Sequence, residues 1–129
     1  ERHLLAAIRR NNTDYKNFER LTEVYTALAR IHPQQKNDWL IRALDAARQA
    51  VELYPGLGRL HLKLAKIAEM LGKTNLAFKH YTHTIYIEDR YRRQFKLMYP
   101  DRAIFSRLGQ DNYQFAKQRI EALRDRTTP

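Results

Sequence analysis

Two stretches of this chain, "ALDAARQAVELYP" (43–55) and "AFKHYTHTIYIED" (77–89), align at a shift of 34 residues. Ala43 falls on Ala77, Ala50 on Thr84, Val51 on Ile85, Leu53 on Ile87 and Pro55 on Asp89. This internal period constrains the fold more than any other feature. A unit of that length holds two helices and a turn. One such hairpin has an apolar face that only a neighbouring hairpin can cover, so units must stack.

Apolar residues elsewhere keep helical spacing. Phe18, Leu21, Val24, Tyr25, Leu28 and Ile31 predict one amphipathic helix. "HPQQKND" interrupts it: Pro33 disfavours helix at His32, and Asp38 is expected to cap the next start. Trp39, Leu40, Ala43, Leu44, Ala47, Ala50, Val51 and Leu53 form the next run, which ends at "YPGLG". Leu60, Leu62, Leu64, Ile67, Ala68 and Leu71 follow, with Gly72 as a C-terminal cap. Another helix is expected from Thr74 to the stop at Pro100, with Tyr91, Phe95 and Met98 facing a core. Short helices are expected over 3–10 and from Asp101 through Ile104, Phe105 and Leu108. A last helix has Asp111 and Gln114 as a capping box and buries Tyr113, Phe115, Ile120 and Leu123.

With Gly and Pro at four each and strong helix formers throughout, the fold class is all-α. The length of 129 residues suits one domain. It divides into a partial unit over 3–14, a unit over 15–57, a unit over 58–91 and a helical cap over 92–129. No apolar run approaches the roughly 18 residues of a membrane span, so this segment is expected not to insert into a membrane. The chain begins at Glu1 rather than Met, which reads as a fragment or a processed form. No signal peptide is visible, and the compartment stays open between cytoplasm and periplasm.

The net charge of +10 is uneven. Residues 1–57 carry nine Lys/Arg against seven Asp/Glu, and residues 58–129 carry fifteen against seven. A basic second half attracts acidic proteins or polyanions, or is simply a well-solvated surface.

The unit from Gly58 to Tyr91 is similar to the tetratricopeptide repeat, a helix–turn–helix unit of 34 residues. His61, Leu64, Ala65 and Ala68 stand at that family's first-helix positions. Ala77, Tyr81, Thr84 and Asp89 stand at its second-helix positions, and Gly72 takes the turn glycine. His61, Ala68 and Asp89 depart from the pattern. The preceding unit offers Leu21, Val24, Tyr25 and Leu28, then Ala43, Ala47, Ala50 and Pro55, with "HPQQKN" as an insertion. The resemblance implies tandem antiparallel hairpins in a right-handed superhelix. It also implies a concave groove lined by the first helix of each pair, and a non-catalytic protein-interaction or scaffolding role. "ERLTEVYTALARIHPQQKNDWL", "YPGLGRLHLKLAKIAEMLGK" and "YRRQFKLMYP" further resemble soluble helical-repeat tails of bacterial O-antigen ligase-like membrane proteins. That implies the soluble part of a larger bacterial protein, with no catalytic residue carried over.

Arg59, Leu62, Lys63, Lys66 and Met70 are the expected groove residues, with Arg59 and Lys63 at two basic positions of the family's carboxylate clamp. Thr22 and Thr26 stand where that clamp needs Lys and Asn, so the full clamp is absent. A protein or peptide partner, acidic or extended, fits such a surface. The alternative is a polyanion, nucleic acid or anionic glycan, held by Arg90, Arg92, Arg93 and Lys96 in "DRYRRQFKLMYPDR".

Catalytic motifs are missing. With no Cys there is no thiolate nucleophile, zinc–thiolate site or disulfide. Ser106 is the only serine and has no neighbouring histidine. "PGLG" lacks the Lys and Ser/Thr of a phosphate loop. Glu88 and Asp89 are adjacent and point to different helix faces. His80 and His83 lie three apart on one helix, and His61 lies on the preceding antiparallel helix. Without Cys or a matching carboxylate, they read as two half-exposed histidines and one packing histidine. A metal-dependent enzyme built on them ranks third, and no cofactor or metal is expected.

Overall fold

Pro33, the "YPGLG" turn, Gly72 and Pro100 cut the chain into helices. The computed structural model describes residues 15–103 and 107–126, and among these there are five helices and no strand. Helix α1 spans Tyr15–Ile31. A 3-10 turn, Pro33–Gln35, leads into α2, Lys36–Leu53. Helix α3 is Gly58–Met70, α4 is Thr74–Met98 and α5 is Gln110–Arg124. Neighbours pack in antiparallel pairs: α1 on α2, α3 on α4, α4 on α5, with α2 also against α3. The expected short helix over 3–10 lies outside the described residues, as do Ile104 and Phe105. The short helix expected over 101–108 does not form in its described residues: 101–103 and 107–108 are turn, bend or irregular chain, because so short a segment gains too few helical hydrogen bonds to offset its nucleation.

Two start signals fall elsewhere than expected. The "HPQQKN" insertion is not a loop of its own. Its first half forms the 3-10 turn, and Lys36 and Asn37 already belong to α2. Asp38 therefore lies in the first turn, where a carboxylate complements the helix dipole, and Gln35 occupies the cap position without a side-chain bond. Similarly, Asp111 lies in the first turn of α5, while Gly109 occupies the cap.

The end of α3 follows the expected logic. Gly72 has φ +75°, a left-handed conformation. Its N–H donates to the Glu69 carbonyl at 3.0 Å, and the Lys73 N–H donates to the Ala68 carbonyl at 2.8 Å. These two bonds close the helix end and reverse the chain, so α4 can begin at Thr74.

The core is built from alanine against leucine and tyrosine. Ala43, Ala65, Ala68, Ala77 and Ala116 are fully buried, and Leu40, Leu60, Leu64, Tyr81 and Leu123 fill the space between helices. Small side chains let backbones approach; the large ones restore close packing. At 25 residues α4 is nearly twice the length of α3, and α5 also packs against it. The expected core face at its end is not buried: Tyr91 and Phe95 are half-buried, while Leu97 and Met98 are exposed. Phe115 is likewise half-exposed, and Ala116 takes the buried place beside it. No helix of the described residues is long and apolar enough to cross a membrane.

Candidate functional site

The basic stripe of α3 meets carboxylates from α1. Arg59 donates through Nε and Nη2 to the two oxygens of Glu19, at 3.0 and 3.2 Å. Lys63 Nζ lies 2.7 Å from Glu19 and 2.6 Å from Glu23. Burial pushes the Glu19 carboxyl up, but hydrogen bonds and charge from Arg59 and Lys63 outweigh it and hold the group below its usual range. Leu62 is buried in the core. Lys66 and Met70 are the exposed members of the expected groove set that lie farther along α3, and Lys66 Nζ sits 4.9 Å from the Phe115 ring centre in α5.

A second carboxylate joins α3 to α4 and α5. Glu69 Oε1 accepts the Tyr81 hydroxyl at 2.8 Å and Arg119 Nε at 3.1 Å, and Glu69 also forms an ion pair with Arg119 Nη2. Burial raises the Glu69 pKa, yet the hydrogen bonds from Arg119 and Tyr81 bring it below the usual value. Burial, then the bond to Glu69, pushes the Tyr81 phenol up.

The basic cluster of α4 is split. Arg92 is engaged by Glu88 at 3.3 Å and Gln110 at 3.2 Å, and its guanidinium carbon lies 4.0 Å from the Tyr113 ring centre. Arg90, Arg93 and Lys96 are exposed. The adjacent carboxylates turn to separate tasks: buried Glu88 holds Arg92, and Asp89 accepts the Tyr113 hydroxyl at 2.7 Å.

The hairpin of α3 and α4 also gathers three histidines. His61 and His80 are buried, and His83 is exposed. The Nδ1 atoms of His61 and His80 are 2.9 Å apart, and His61 Nε2 lies 2.8 Å from the Pro55 carbonyl oxygen. The His83 ring centre is 5.2 Å from that of His61 and 5.6 Å from that of His80. One nitrogen from each ring can be chosen so that all three lie within 4.8 Å of one another. An open hollow of about 670 Å³ adjoins them, with Glu52, Lys79, Tyr86 and Arg90 on its walls.

The hydrogen bonds fix the tautomers. A carbonyl oxygen only accepts, so His61 Nε2 carries the proton donated to Pro55. Burial lowers the His61 pKa despite that bond, and His83 and Lys79 lower it further, so the ring is neutral and its Nδ1 is bare. His80 must then donate through Nδ1–H. Burial first, then the charges of His61, His83, Lys79 and Arg48, bring the His80 pKa down to about 4. His61 is thus the packing histidine expected from its repeat position, but His80 is buried against it rather than half-exposed. The sequence signal was present in the i, i+3 pair and the antiparallel hairpin. What spacing could not give was the relative height of α3 and α4.

Comparison with protein-family models, with curated proteins and with solved structures finds no match to this chain.

Proposed function

We propose that this chain is a non-catalytic interaction module of tetratricopeptide type, a right-handed stack of hairpins that holds a partner protein or peptide on the face of α1, α3 and α5. The observation that supports it is the pair of links between alternate helices. Glu19 and Glu23 of α1 meet Arg59 and Lys63 of α3, and Glu69 of α3 meets Arg119 of α5. Side-chain links between alternate helices are what a stack of hairpins with its first helices along one face would make. On that face Lys66, Met70 and Phe115 combine one cation with apolar surface. A peptide with an acidic and an apolar side chain is the complementary ligand. Arg59 and Lys63 serve the stack, because a partner carboxylate would have to displace Glu19.

Photo-crosslinking residues placed at 66, 70 and 45 test this reading; Asp45 is exposed on α2. Discrete adducts from 66 and 70 with none from 45 are expected. Equal adducts from all three, or none from 66 and 70, overturn the reading.

A second reading rests on the exposure of Arg90, Arg93 and Lys96 along α4. They would hold a polyanion by charge, with affinity falling steeply as salt rises. Retention on heparin that Arg93→Glu with Lys96→Glu abolishes supports it; retention that the double variant leaves unchanged removes it.

A further inference from the structure

We propose that His61, His80 and His83 form a binding site for a divalent transition-metal ion of the zinc class, clipping α3 to α4. The proposal does not rest on the partner-binding reading and uses none of its residues. Three nitrogens within 4.8 Å, two of them buried, are already gathered on two packed helices. The His61 ring has the support that metal-bound imidazoles need: Nε2–H anchored on the Pro55 carbonyl at 2.8 Å, Nδ1 bare and directed at the cluster.

In the metal-free hairpin the His80 Nδ1 proton bridges the two rings at 2.9 Å. Two imidazole nitrogens on one tetrahedral zinc stand about 3.3 Å apart. The metal therefore takes the place of the shared proton after the rings part by a few tenths of an ångström. The balance is simple. The Nδ1 proton of His80 moves to Nε2 of the same ring, His61 keeps its Nε2 proton, and His83 supplies the third nitrogen from the unprotonated side of its ring. The buried pair releases no net proton. The fourth position faces the hollow and takes water or an anion.

Charge around the site selects the kind of ion. Lys79 and Arg90 line the hollow and Arg48 acts on His80, against the one carboxylate of Glu52. A hard cation held by charge and oxygen ligands is disfavoured there. A borderline ion that bonds strongly to imidazole, such as zinc, copper or nickel, is favoured. Lys79 and Arg90 also favour an anion as the fourth ligand.

The test is calorimetric titration of the untagged chain with zinc chloride at pH 7.5, with thermal unfolding alongside. One saturable site per chain and a raised melting temperature are expected, with no rise in magnesium. His83→Ala, at an exposed position, should lower zinc affinity at least tenfold while helical circular dichroism is unchanged. His32→Ala should leave binding intact. Absence of saturable binding overturns the site. So do binding undiminished by His83→Ala, loss of binding in His32→Ala, or an equal rise with magnesium.

Discussion

His61 and His80 share a buried Nδ1-to-Nδ1 hydrogen bond of 2.9 Å across the α3–α4 hairpin. Such a bond exists only while the pair holds a single proton between the two facing nitrogens. A second proton there would set two donors against each other, inside a packed interface with Lys79 and Arg48 adding positive charge.

Stability is therefore expected to fall as acid is added. In the unfolded chain both rings titrate near 6.5, whereas in the fold His61 titrates lower and His80 at about 4. Between those values the unfolded chain binds more protons, so acid favours unfolding. The contribution is fully present above pH 6.5 and is lost as pH falls toward 4. At about 1.4 kcal/mol per pKa unit, His80 alone gives a loss of roughly 3 kcal/mol. Glu19 and Glu69, held below their usual range, lose their contributions lower down. Urea unfolding at pH 7.5, 5.5 and 4.5 reads the effect; a flat profile over that range contradicts it.

Glu69 ties three helices through Tyr81 and Arg119. Tyr81→Phe removes one hydrogen bond to a charged acceptor, and a loss of about 1–2 kcal/mol is expected. Glu69→Ala leaves the Tyr81 hydroxyl and Arg119 without their acceptor and should cost more. In the Glu69→Ala background, Tyr81→Phe should be nearly neutral. Denaturant unfolding of the four chains checks this, and additive losses would refute the link.

At the hairpin turn, Gly72→Ala puts a Cβ on a left-handed residue at φ +75°. No atom beyond its chain neighbours lies within 4 Å of that Cβ, so the cost is backbone strain alone, about 1 kcal/mol. Gly56→Ala is the control, with equal space and no positive φ. Equal losses in the two variants would show that the turn does not depend on the left-handed residue.

The five long helices, their order and the Gly72 turn were legible because each rests on local chemistry: apolar spacing, Pro, and a residue free to take positive φ. The short helix expected after Asp101 was misread, because a capping residue and a few apolar side chains do not offset the cost of helix nucleation in so short a segment. The two cap positions were misplaced because Asp38 and Asp111 stabilise a first turn as well as a cap, and sequence alone does not separate the two. Tyr91, Phe95, Met98 and Phe115 have core spacing, yet a helix buries only the face its neighbours cover. The α3 stripe was visible as charge, but its bonds to Glu19 and Glu23 join residues some forty positions apart, which no local pattern encodes. The histidine cluster was hidden for the same reason: the distance between His61 and His80 depends on how α3 and α4 slide along each other.

The partner-binding reading rests on the side-chain links that join α1 to α3 and α3 to α5. It can be tested directly by zero-length carbodiimide coupling of the chain, followed by mass-spectrometric peptide mapping. Lys63 lies 2.6 Å from Glu23 and 2.7 Å from Glu19, so an amide joining Lys63 to one of these residues is predicted. If Lys63 stays uncoupled to both while amides form at other ion pairs, α1 and α3 do not share a face, and the stacked-hairpin account fails.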